Sequence, residues 1–181
     1  MNPQEAERIL ASADLICSAD EVRAAVARLA DELNGAMRGR NPLVVSVMGG
    51  AVIFTGQLLP QLNFPLDFDY VHATRYGDAT SGGQLKWVVE PRTAVAGRMV
   101  LLLDDILDEG ITLAAIRQHL LDAGASECIT VVFADKNIGR AKPLVADYVG
   151  LTLPNRYVFG YGMDVSGAWR NLPAIYALKG Q

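Results

Sequence analysis

Apolar residues in this chain fall into runs of different period, and each period predicts an element. Val22, Val26, Leu29, Ala30, Leu33 and Met37 recur at helical spacing behind Ser18-Ala-Asp-Glu21, which has the form of a capping box, so a helix opens at Ser18. Gly39 and Pro42 end it. Leu43 to Met48, Met99 to Leu103 and Cys128 to Phe133 are nearly continuous apolar runs without alternation, as expected of strands covered on both faces of a parallel sheet. Leu66 to Thr74 instead alternates, with Phe68, Tyr70 and His72 on one face and Asp67 and Asp69 on the other. Leu85 to Glu90 and Tyr148 to Leu151 predict shorter strands, and Ala51 to Leu59 and Ile111 to Ala123 predict helices, the second ended by Gly124. Arg75 to Gly83 has no period and is rich in Gly, Ser, Thr and Asp, which predicts a mobile loop. Alternation of strand and helix implies an α/β fold, a mostly parallel sheet flanked by helices on both faces.

Composition narrows the class. A chain of 181 residues, 51% hydrophobic and 20% charged, suits one soluble domain with a sizeable core. Its net charge of -4 gives no general attraction to nucleic acid or anionic lipid, so an anionic ligand has to be held by local donors. Cys17 and Cys128 have no paired spacing, which predicts buried thiols in a reducing compartment. The polar N-terminus lacks the regions of a signal peptide, and no apolar run approaches membrane-spanning length. A cytoplasmic location is the expectation, with a small molecule as substrate and neither nucleic acid nor membrane as partner.

The chemistry concentrates after the apolar run that begins at Met99. Asp104 and Asp105 stand at its carboxyl end, where open α/β sheets place their ligands. Asp108 to Thr112 then form a short turn before a helix, in which Gly110 and the helix N-terminus can aim backbone N–H groups at an anion. Carboxylates for hydroxyls or a cation, followed by a phosphate turn, describe a site for a metal-bound sugar phosphate.

The order of apolar strand, acidic pair, two apolar residues, Asp108, Gly110 and Thr112 resembles the ribose-phosphate signature of the type I phosphoribosyltransferases. Glu109 and Ile111 depart from the residues usual there, and a carboxylate beside a phosphate is unfavourable unless it points away. From Leu43 to Arg170 the chain is similar to the hypoxanthine-guanine phosphoribosyltransferases, which implies the type I fold over residues 1–181, with the N- and C-terminal segments forming a small hood. The resemblance implies that Met48, Gly49 and Gly50 meet the leaving diphosphate together with Arg170, with Met48 where Lys or Arg is common, and it places a cis peptide between Val47 and Met48. Arg75 and Tyr76 would open the loop that closes over the reacting centre. Lys136 would donate to the exocyclic oxygen of a 6-oxopurine, Tyr157 would stack on the ring and the Val158 backbone would pair with its edge. Asp164 would hold magnesium, with Asp104 and Asp105 reaching the metal through substrate. Asp104 and Asp105 would otherwise hold the ribose hydroxyls, residues 108–112 the phosphate, and Asp108 would serve as general acid/base at the purine.

The resemblance implies a Mg2+-dependent salvage transferase that converts hypoxanthine or guanine and phosphoribosyl diphosphate to IMP or GMP and diphosphate, acting as a homodimer or homotetramer. A xanthine-preferring enzyme is the nearest alternative, and a regulatory protein that senses phosphoribosyl diphosphate is another. A sensor would not need Asp108, Lys136, Tyr157 and Asp164 together, and no basic patch marks a DNA-binding segment. Trp169 is expected to pack beneath the diphosphate region, and His72 and His119 to have ordinary structural roles.

Overall fold

The computed structural model describes residues 1–75 and 85–180. Its elements run α1 (Pro3–Ser12), β1 (Asp14–Cys17), α2 (Ala19–Ala36), β2 (Leu43–Met48), α3 (Val52–Leu58) with a 3-10 turn at Leu59–Gln61, β3 (Asp67–Arg75), β4 (Leu85–Val89), β5 (Met99–Leu107), α4 (Ile111–Asp122), β6 (Glu127–Lys136), β7 (Tyr148–Leu153), β8 (Val158–Phe159) and β9 (Ile175–Ala177). The main sheet has strand order β4-β3-β2-β5-β6-β7. Every neighbouring pair in it is parallel except β3 with β4, which run antiparallel at one edge.

The apolar runs form the buried strands because both faces are covered. On β2, Val44 joins a core shared with α2 and α3, whereas Leu43, Val45 and Val47 join a second core shared with α4. On β5, Leu101 and Leu103 take the first face and Val100 and Leu102 the second. The periodicity of two is therefore present in space although both sets are apolar in sequence. Helix α2 opens on the expected capping box: Ser18 accepts from the Glu21 backbone and the Glu21 carboxylate accepts from the Ser18 N–H at 2.8 Å. Its stripe of Val22, Val26, Leu29 and Leu33 is buried.

Three findings differ from the sequence expectation. The strand from Met99 does not stop at Leu103 but runs through the acidic pair to Leu107, since Asp104, Ile106 and Leu107 remain in register with Val132, Ala134 and Asp135 of β6. Strand β6 likewise includes Lys136 instead of ending before it. Asp67 and Asp69 do not share one kind of environment. Asp67 pairs with Arg98 at 2.8 Å, whereas Asp69 is buried and accepts from the backbone of Tyr70, Arg92 and Thr93.

The ends of the chain meet in a second sheet, of order β1-β9-β8, antiparallel throughout. Periodicity did not disclose it, because strands of two to four residues carry too few positions to show a period. Helix α1 was also unforeseen. It is capped by Asn2, begins at Pro3 and has only a short apolar face, with Ala6 buried and Ile9 and Leu10 half-buried. Trp169 explains how it is held, since the indole N–H donates to the Ala6 carbonyl at 2.8 Å. Cys17 and Cys128 are buried free thiols, and His119 packs tilted against Trp87 with ring centroids 4.4 Å apart. Among the described residues, no helix is long and apolar enough to cross a membrane.

Candidate active site

The carboxyl ends of β2, β5 and β6 adjoin in the middle of the main sheet, and the turns that follow them bring most of the sequence candidates together. Asp104 and Asp105 occupy the last part of β5. The Asp105 N–H donates to Asp104 Oδ1 at 3.0 Å, and the Ile106 N–H donates to Asp105 Oδ1 at 2.9 Å. Burial pushes the Asp104 carboxyl well above the usual carboxylate range, and the adjacent Asp105 charge adds to this. Burial also raises Asp105, opposed by the Asp104 hydrogen bond and by the Arg170 guanidinium. Two acids held this way favour ligands that bring hydrogen-bond donors or positive charge.

The Gly49-Gly50 turn lies directly against the acidic pair. A Cβ at Gly50 would collide with the Asp105 carboxylate, and a Cβ at Gly162 would collide with the Gly50 carbonyl. Only glycine permits this approach, and Gly162 additionally has φ +98°. The cis bond of this turn joins Met48 to Gly49, one residue later than expected. Arg170 comes back to the same place from the C-terminal segment: its guanidinium donates to the Gly162 carbonyl at 2.6 Å and pairs with Asp164 at 2.5 Å. Asp164 also accepts from the Gly167 N–H at 2.6 Å.

After β5 the chain turns through Asp108, Glu109 and Gly110 into α4. Gly110 is the N-cap, has φ +79° and supplies no side-chain acceptor, so the first N–H groups of the helix have no cap from it. This turn lines a cavity of about 240 Å³ bounded by Asp104, Asp108, Glu109, Gly110, Ile111 and Thr112. The Glu109 carboxylate extends to Arg140 at 2.7 Å, which neutralises the charge that looked out of place in the sequence. Ile111 is exposed at the first turn of α4, and nothing in the structure explains its departure from the usual residue.

A second cavity, of about 220 Å³, is lined by Asp105, Asp108, Lys136, Tyr157, Val158, Asp164 and Arg170 among others. Lys136 donates to Asp108 Oδ2 at 2.7 Å. Tyr157 is exposed, and its hydroxyl lies 3.4 Å from the Asp164 carbonyl. Val158 begins β8, the edge strand of the small sheet, so one side of that strand is unpaired within the sheet. Ile106 and Asp108 line both cavities. The site is thus two adjoining compartments with a carboxylate at their junction.

Comparison with known proteins follows this geometry. The phosphoribosyl transferase domain model matches residues 16–166. The hypoxanthine-guanine phosphoribosyltransferase of Lactococcus lactis is 34% identical over 166 residues, covering 91% of this chain and 90% of that protein. The chain belongs to the hypoxanthine-guanine phosphoribosyltransferase family. A hypoxanthine phosphoribosyltransferase structure from Trypanosoma cruzi, determined as a ternary substrates complex, superimposes on this chain with a TM-score of 0.87 at 30% identity, covering 94% of this chain and 97% of that one. The bifunctional protein TilS/HprT of Listeria innocua is 38% identical over 166 residues, and the chain spans about a quarter (26%) of its length. The α/β architecture expected from the apolar runs is therefore that of solved relatives.

Of the expected site residues, the structure gathers Asp104, Asp108, Glu109, Gly110, Ile111 and Thr112 around one cavity, and Asp105, Asp108, Lys136, Tyr157, Val158, Asp164 and Arg170 around the other. Gly50 reaches the pair through Asp105, and Met48 and Gly49 precede it in the same turn. Arg75 is the last residue of β3, while Tyr76 lies outside the described residues. Sequence reasoning missed Gly162, Met163, Asp135 and Lys142. Gly162 sits in the Gly160-Tyr-Gly-Met-Asp segment, and its spacing alone could have suggested a turn.

Proposed function

We propose that this chain transfers the ribosyl 5-phosphate of phosphoribosyl diphosphate to hypoxanthine or guanine, forming IMP or GMP and releasing diphosphate. The supporting observation is the pair of adjoining cavities that share Asp108. The compartment at the start of α4 suits the 5-phosphate, because glycine at the N-cap and the helix N-terminus present backbone donors. The compartment at Lys136 and Tyr157 suits a flat base with a hydrogen-bond acceptor. An ammonium has three donors, so Lys136 can keep Asp108 while donating to a 6-oxo group. It would face the amino group of adenine unfavourably.

In this reading the base N9 attacks the anomeric carbon as the bond to diphosphate breaks, and Asp108 at the junction takes the proton that leaves N7. Asp104 and Asp105 bind the ribose hydroxyls, and their negative charge favours the cationic character that develops on the sugar. The Gly49-Gly50 turn and Arg170 receive the diphosphate. Asp164, with Asp104 and Asp105 acting through substrate, offers the hard oxygens that suit Mg2+, which commonly takes one or two carboxylates together with substrate phosphates and water. Bound there, the metal would neutralise charge on the leaving diphosphate. A homodimer or homotetramer is the assembly proposed for it, tested by light scattering on the purified protein.

The experiment is diphosphate release from phosphoribosyl diphosphate with adenine, hypoxanthine, guanine and xanthine in parallel, with and without magnesium. Release with hypoxanthine or guanine supports the reading. Release with adenine alone overturns the Lys136 assignment, and no release with any base favours a sensor.

A further inference from the structure

We propose that Lys142 is a positioning residue for the purine end of the site, acting through the backbone that precedes both Asp108 and Lys136. Its side chain is only 9% exposed, although lysine is seldom buried without a partner. Its Nζ donates at 2.5 Å to the Leu107 carbonyl and at 2.5 Å to Asp135 Oδ1. Leu107 immediately precedes Asp108, and Asp135 immediately precedes Lys136. Leu107 and Asp135 are also register partners across β5 and β6. One ammonium therefore ties the last rung between the two strands at the point where each strand delivers a residue to the second cavity.

Adjacent side chains on a strand point to opposite faces, so Asp135 and Lys142 hold the rung from behind while Lys136 reaches forward to Asp108. The stem of Lys142 has a second contact. A Cβ at Gly110 would lie 3.5 Å from the Lys142 Cβ and 3.6 Å from Pro143, so the segment packs beneath the phosphate turn. The aliphatic part thus supports the phosphate side, and the charged head sets the separation of the acid/base from the oxopurine donor. An error of about 1 Å in such a separation can cost on the order of 10²-fold in rate.

The inference rests on the assignment of Lys136 and Asp108 to the base, and its test separates the two. Lys142→Met keeps the stem and removes only the head. The expected result is a rise of about tenfold in KM for hypoxanthine, with the dissociation constant for phosphoribosyl diphosphate changed less than twofold and discrimination against adenine relaxed. Asp135→Asn, which leaves the bond to Leu107 in place, should raise the same KM by less. An unchanged KM in Lys142→Met overturns the inference, as does a loss of affinity for both substrates in equal proportion, the mark of a merely structural residue. Lys136→Ala is measured alongside. If it leaves the base KM unchanged the purine-pocket reading fails; if it raises KM and Lys142→Met does not, the inference about Lys142 alone fails.

Discussion

At the scale of single residues, the two carboxylates inside β5 and the one beyond it have opposite surroundings. Asp108 is half exposed and paired with Lys136 at the junction of the two cavities. Asp108→Asn keeps the shape and removes the proposed base. Turnover should fall by about 10²–10⁴-fold, with phosphoribosyl diphosphate affinity preserved in a calorimetric titration. Asp104 is buried beside Asp105, and both burial and that neighbour push its carboxyl upward. A raised folded-state value means that protonation favours the folded form. The contribution of Asp104 to stability therefore declines as pH climbs from the ordinary aspartate value of about 3.9 through the raised one. Asp104→Asn removes that penalty. At neutral pH its melting temperature should exceed the wild type's. The difference should shrink toward pH 4, while substrate affinity is lost.

At the scale of elements, the site depends on how closely turns approach strands. The Gly50 backbone abuts the Asp105 carboxylate and the Gly162 backbone abuts the Gly50 carbonyl, so three segments distant in sequence lock together at two glycines. Gly50→Ala must displace the Asp105 carboxylate. We expect at least a tenfold loss of phosphoribosyl diphosphate affinity in equilibrium titration, with a lowered melting temperature. The other joint is Asp69 on β3, which organises the segment between β4 and β5 by accepting from the Arg92 and Thr93 backbones. Burial tends to raise its carboxyl, but the backbone donors of Thr93, Tyr70 and Arg92 outweigh it and the net shift is downward. A lowered folded-state value gives stability that is present above about pH 3.9 and is lost as pH falls through the lowered value. Asp69→Ala should cost about 1–3 kcal/mol, the penalty of leaving buried donors unpaired. Denaturant unfolding at pH 7 and at successively lower pH below about 3.9 checks both the magnitude and the decline of the difference in acid.

At the scale of the whole molecule, the long central sheet presents the carboxyl ends of β2, β5 and β6, while the small sheet that joins the chain ends brings Tyr157 and Val158 to the same place. The C-terminal segment also fastens α1, through the Trp169 indole. Trp169→Phe keeps the ring and removes the donor, at a cost of about 0.5–1.5 kcal/mol. Faster proteolysis near the N-terminus, with unchanged KM for the base, is the expected outcome. The order of the main-sheet strands and of α2, α3 and α4 was legible in the sequence because apolar period is local: the capping box at Ser18, the runs at Leu43, Met99 and Cys128, and the turn at Gly110 each report on residues within a few positions. The acidic pair and the phosphate turn were legible for the same reason.

Nothing local distinguishes Lys142 from a solvated lysine, Asp69 from its exposed neighbour Asp67, or β8 and β9 from irregular tail. Each acquires its role from a partner tens of residues away or more, such as Leu107, Thr93 or Tyr157. The sequence by itself determined the strands of the main sheet, the helices α2, α3 and α4 and the order in which carboxylates, glycines and donors occur, because patterning and turn chemistry act over short spans of chain. Only the tertiary structure decided that β5 carries its acidic pair inside the sheet, that Glu109 is neutralised by Arg140, and that two cavities meet at Asp108. Those outcomes depend on burial and charge pairing between segments, which exist only once the sheet has assembled.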